Sequence, residues 1–124
     1  MLLIDANAIL RYTLSDNTDM ANKVRELITK NKVAVRYEVW AEVAYVLSKV
    51  YALPRSEIAD GMKVFLSNPN VETESVEALL FALEAYAGLN MDFVDCLLYG
   101  FKAAYGYGVF TFDRQLNSNL NKLN

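Results

Sequence analysis

Short apolar runs alternate with amphipathic stretches along this chain, and that alternation limits the available folds more than any other feature. Met1 to Ile4 stops at Asp5-Ala6-Asn7 and reads as a buried first strand, after which Ala8 to Tyr12 continue as helix. Thr18 can cap a second helix with Ala21, Val24, Leu27 and Ile28 on one apolar face. Val33 to Val35 is a second strand. Val39, Val43, Val46, Leu47 and Val50 then form a helical stripe despite their β-branched content. Pro54 suits the first turn of another helix, with Ile58, Met62, Phe65 and Leu66 inward, and Asn68-Pro69-Asn70 stops it before a third strand at Val71 to Thr73. Ser75 opens a helix whose apolar side is Leu79, Leu80, Leu83 and Tyr86, and Gly88 ends it. Asp92 to Tyr105 carries Val94, Leu97, Leu98, Phe101 and Tyr105 at helical spacing, and Gly106-Tyr107-Gly108 leads to a fourth strand at Val109 to Phe112. Strands alternating with helices predict an α/β fold, with a parallel sheet covered on both faces.

With 124 residues and 54% hydrophobic content, the chain is long enough for one domain around a real core, and residues 1–124 show no linker or repeat. No run approaches the ~18 apolar residues of a membrane span, and Asp5 interrupts the N-terminal run before it resembles a signal peptide. A soluble, cytoplasmic protein with no membrane partner is expected.

The chain has no His, which removes Ser-His-Asp and Cys-His nucleophile systems, His-ligated zinc and imidazole acid/base catalysis. The single Cys96 sits among apolar neighbours, cannot form an internal disulfide, and reads as a small buried hydrophobe. Any catalysis must therefore use carboxylates, hydroxyls, amines and hard cations.

In an open α/β sheet the ligand crevice lies beyond the carboxyl ends of the strands. Asp5 and Asp113 both occupy such a place, where an Asp is also a favoured helix cap. Glu42 lies one turn into the valine-striped helix at the margin of its buried face, where a solvated salt bridge is the alternative role. Asp92 and Asp95 stand three apart at a helix start, Asp92 as the expected cap and Asp95 as the better site candidate. Asp5, Glu42, Asp95 and Asp113 thus fall at element ends that a parallel fold can bring to one edge. Carboxylates so gathered repel unless cations neutralise them, and an all-oxygen set favours Mg²⁺ or Mn²⁺. These four acids outweigh the net charge of −3, so the acidic balance itself does not exclude a phosphate-bearing partner. Arg11, Arg36, Lys102 and Arg114 lie near them in sequence and can hold phosphates, although each also suits a solvated surface.

Met1-Leu2-Leu3-Ile4-Asp5-Ala6-Asn7-Ala8-Ile9-Leu10-Arg11-Tyr12, Ala41-Glu42-Val43, Asp92-Phe93-Val94-Asp95-Cys96-Leu97-Leu98 and Thr111-Phe112-Asp113 resemble the successive motifs of PIN-domain ribonucleases, in particular the VapC-like toxin branch. The resemblance spans essentially the whole chain and implies a three-layer α/β/α sandwich with a central parallel sheet. It further implies Mg²⁺- or Mn²⁺-dependent cleavage of an RNA substrate, a homodimer, and inhibition by a small antitoxin protein. Asp5, Glu42, Asp95 and Asp113 match the family's acidic quartet. Asn7 and Thr111 match its supporting polar positions, with Asp92 peripheral to them, and Arg11 and Arg114 are candidate phosphate contacts. Arg114-Gln115 only loosely answers to the polar residues that often follow the last acid.

Three other readings compete. A housekeeping RNA-processing nuclease shares every motif named above. A catalytically silent PIN-like protein- or RNA-binding module would be marked by loss of acids, all four of which are present here. A phosphoryl-aspartate domain wants either a second Asp where Asn7 stands, or an acid pair and a late Lys, and neither set is found.

Overall fold

In the computed structural model, which describes residues 1–124, the chain divides into two units, Met1–Glu74 and Ser75–Asn124. The first unit has the order β1 (Leu2–Leu3), α1 (Ala6–Leu14), α2 (Thr18–Lys30), β2 (Val33–Ala34), α3 (Tyr37–Lys49), α4 (Arg55–Leu66) and β3 (Val71–Glu72). The second holds α5 (Val76–Gly88), α6 (Phe93–Tyr105) and α7 (Arg114–Asn121). The class is the expected α/β.

β1, β2 and β3 form one parallel sheet in that order, with Leu2 opposite Val33 and Val33 opposite Val71. Parallel neighbours cannot be joined by a tight turn, so each connection is a pair of helices. The central strand is the most buried: Val33 and Val35 are both sealed from solvent, and their amides donate to Asn70 O and Glu72 O at 2.8 Å. Ile9, Trp40, Val43, Leu47, Ile58, Met62 and Phe65 are fully buried with them. Phe65 receives Tyr12 and Trp40 edge-on, with ring centroids at 5.0 and 6.1 Å. Asn70, just before β3, donates to Ile28 O at 2.9 Å and so satisfies a carbonyl at the end of α2.

In the second unit α5 and α6 meet through small residues. Ala78 and Ala82 of α5 are fully buried, and Gly100 of α6 lies against them. A Cβ at residue 100 would stand 2.2 Å from the Ala78 carbonyl oxygen and 3.1 Å from the Ala82 nitrogen. Ser75 caps α5 through Ala78 N, and its hydroxyl shares a 2.6 Å hydrogen bond with the Tyr105 hydroxyl. Cys96 is buried, as its neighbours predict, and its thiol donates to Met91 O at 3.7 Å.

Several expectations are corrected. Val109 to Phe112 forms no strand, and Phe110 and Phe112 are 87% and 89% exposed. A strand exists only when another pairs with it, and the second unit contains none. Local bonding competes as well, because the Thr111 hydroxyl accepts from the Asp113 amide at 3.0 Å. Asn17, not Thr18, caps α2, since its Oδ1 accepts from Met20 N. Val50, Leu80 and Val94 are exposed, and the buried stripe of α6 is Phe93, Cys96, Leu97 and Gly100. That stripe follows the close approach at Gly100, which apolar periodicity alone does not register.

Gly100→Ala should therefore destabilise by about 3 kcal/mol, at the upper end for overpacking, because its methyl meets backbone instead of a side chain that can swing aside. A thermal melt within a degree or two of wild type would contradict this close approach.

Candidate active site

The strands of the first unit all run the same way, so the residues following them share the sheet's carboxyl edge. Asp5 follows β1 there and caps α1, its Oδ1 accepting from Ala8 N at 3.0 Å. α3 starts just past the neighbouring β2 and carries Glu42, which is exposed in its second turn. Asn7 is exposed in the first turn of α1.

Arg11, a candidate phosphate contact, is engaged within its own unit. Its guanidinium donates to both carboxylate oxygens of Asp16 at 2.7 and 2.8 Å and to the Tyr51 hydroxyl at 3.4 Å, so its charge is already matched within the unit. Arg36 pairs with Glu38 at 2.9 Å and lies 4.0 Å from Glu74.

The second unit carries the other acids. Asp113 caps α7, its Oδ1 accepting from Leu116 N at 2.8 Å. Thr111 braces its backbone, the hydroxyl accepting from the Asp113 amide at 3.0 Å, and is itself tied to α7 because its carbonyl accepts from Asn117 Nδ2 at 2.9 Å. Arg114 follows at the exposed start of α7. Asp95 sits half-buried in the first turn of α6. Its carboxyl is held above the usual range, first by loss of water around it and then by the charges of Asp113 and Asp92.

Asp92 corrects an expectation. It occupies the cap position of α6, but its side chain makes no cap hydrogen bond and is exposed. With φ −59° and ψ 150° it turns the chain into the helix through its backbone, where its carbonyl accepts from Cys96 N at 3.0 Å. The acid at the amide end of α6 is Asp95.

Glu74 was not among the residues singled out by sequence. It follows β3 at the same carboxyl edge as Asp5, and both its oxygens accept from the Tyr37 amide at 3.0 Å. The rule that selected Asp5 and Asp113, an acid just past an apolar strand run, would have found it.

The donor chemistry suits a hard cation: exposed or half-buried carboxylates, with no nitrogen or sulfur competing. Capping occupies one oxygen each of Asp5 and Asp113, and a carboxylate has about four lone-pair sites, so capping and cation binding are compatible. In neither unit are three or more His, Cys, Asp or Glu side chains gathered as a cation's ligand set. No helix is long and apolar enough to cross a membrane.

The family described as PIN domain matches residues 2–119. No curated protein matches the chain, and no solved structure matches it.

Two stability outcomes follow from these caps and charges. Asp113→Ala should cost about 0.5–2 kcal/mol, whereas Asp92→Ala should cost almost nothing, which denaturant titration resolves. Because the folded state raises the Asp95 pKa above 3.8, it retains a proton that the unfolded chain has released. The stability from this group is complete below 3.8 and is lost as pH rises through the folded value. Asp95→Asn should thus melt at or above wild type at pH 7, with the difference shrinking on acidification; thermal melts across pH check the sign.

Proposed function

The chain belongs to the PIN domain family, matched over residues 2–119, and on that premise we propose that it is a divalent-metal-dependent ribonuclease whose acids are Asp5, Glu42, Asp95 and Asp113. PIN domains are typically nucleases, so a hydrolase acting on nucleic acid is the coarse reading. Family membership over nearly the whole chain is the observation that carries it, together with retention of every acid of the quartet.

Asp5, Glu42, Asp95 and Asp113 are the residues that would hold Mg²⁺ or Mn²⁺, which when bound would activate water and offset phosphodiester charge without a His base. The chain's own residues hold the acids still. Asp5 and Asp113 are fixed by their cap bonds, and Thr111 holds the Asp113 backbone. Burial, and then the charges of Asp113 and Asp92, penalise the ionised Asp95 carboxyl, a penalty that a bound cation would offset. Arg114, exposed beside Asp113, and Arg11, which pairs with Asp16, are the candidates for a substrate phosphate.

The finer part of the reading follows the motif set. The RNA-cleaving activity is that of a cytoplasmic toxin acting as a homodimer and restrained by a small antitoxin protein.

Asn is as good a helix cap as Asp, so Asp5→Asn and Asp113→Asn separate structure from chemistry. Both should melt near wild type while losing Mg²⁺- or Mn²⁺-dependent RNA cleavage by more than the roughly 10–100-fold typical of outer-shell changes. Undiminished cleavage by the purified variants would remove these acids from the site. Growth arrest on expression of wild type but not of Asp5→Asn tests the toxin role.

A further inference from the structure

Helix α3 lacks its own cap: Arg36 at the cap position makes no side-chain cap hydrogen bond. Residues from the far end of the first unit's sequence supply the missing contacts. The Tyr37 amide donates to Glu74 Oε1 and Oε2, each at 3.0 Å. One position earlier, the Thr73 hydroxyl accepts from Trp40 Nε1 at 3.1 Å and donates to Glu74 Oε1 at 3.2 Å. Trp40 has no exposed surface and lies edge-on to Phe65, so the first turn of α3 is held from its amide end and from its indole.

A carboxylate at a helix amide end satisfies an orphan donor and complements the helix dipole. Here it also joins two elements that the site depends on. Glu74 follows β3, at one edge of the sheet, while α3 follows the central β2. Glu42 lies on the same helix, about 7.5 Å of axial rise beyond Tyr37, close enough for the clamp to fix its position.

Resting on the reading of Glu42 as a cation ligand, we propose that Glu74 is a positioning residue that clamps the first turn of α3 to the end of β3 and thereby sets where the Glu42 carboxylate is held. It touches neither metal nor substrate. A displacement of about 1 Å at a ligand is enough to cost about a hundredfold in chemistry, so a clamp of this kind has functional weight beyond its stability.

Mn²⁺ alone is the probe, with binding to the full chain followed by calorimetry and by the spin signal of the free ion, and folding checked by circular dichroism. Glu74→Ala should remain folded and bind Mn²⁺ about tenfold more weakly, within the range for outer-shell partners. Glu74→Gln keeps an acceptor for the Tyr37 amide and should return affinity close to wild type. Wild-type affinity in Glu74→Ala, or no recovery in Glu74→Gln, overturns the proposal.

If Glu74→Ala does not fold, Tyr37→Pro and Tyr37→Ala decide. Both lose the ring, but only proline loses the amide, at a first helical position where it is well tolerated and where Arg36 is already extended. Proline should weaken Mn²⁺ binding and alanine should not; equal affinities overturn the clamp. Glu42→Gln separates the two levels. If it leaves wild-type Mn²⁺ binding unchanged, the assignment of Glu42 falls. If it abolishes binding while the Glu74 variants do not change it, only the positioning role falls.

Discussion

Parallel pairing on both sides of β2 is the constraint from which the first unit is built. Its ladders are only two residues long, with Val33 and Ala34 opposite Leu2 and Leu3 on one side and Val71 and Glu72 on the other. Ladders this short cannot hold a sheet by hydrogen bonds alone, so burial of Val33 and Val35 among Ile9, Trp40, Leu47 and Phe65 supplies the cohesion. Parallel direction then dictates the rest. Every strand ends on one side, and every following helix starts there, so acids just past strand ends share an edge without being neighbours in sequence.

Two of the candidate acids have a structural duty of their own. Asp5 and Asp113 each give one oxygen to a helix amide, which fixes the side chain in a defined orientation. Asp95 differs: it sits half-buried, and loss of water, followed by the charges of Asp113 and Asp92, holds its carboxyl above the usual range. Folding therefore leaves a local excess of negative charge in the second unit. PIN domain nucleases generally use divalent metals, and a chain without His offers carboxylates as its anionic ligands.

Helix ends carry more of the design than helix middles. α3 has a strongly apolar stripe but no side-chain cap from Arg36; Glu74, just past β3, accepts from its first amide, and Thr73 accepts from the Trp40 indole. Arg11 shows the reverse case, in which a cation near the acids in sequence is consumed by Asp16 and Tyr51. Sequence proximity alone could not distinguish a free charge from a spent one.

The existence of the helices was legible from apolar spacing, and their buried faces in part: Val43 and Leu47, Ile58 and Met62, and Leu79 and Leu83 are buried, whereas in α6 Val94, Leu98 and Tyr105 of the apolar stripe are exposed. The acids were legible because strand ends and cap positions have local signatures. Asp5 and Asp113 indeed cap their helices. What could not be read locally depends on partners distant in the chain. Val109 to Phe112 has strand composition and no partner strand in its unit, so it forms no ladder. Gly100 looks like an ordinary helical glycine until the Ala78 carbonyl arrives beside it, and Asp92 looks like a cap until its side chain is seen to make no bond. The sequence by itself determined the α/β class, the parallel sheet and which acids were candidates, because periodicity and capping act over a few residues. The tertiary structure decided which charges are spent, which helix faces are covered and how the start of α3 is held, because each depends on a contact between groups far apart in the chain.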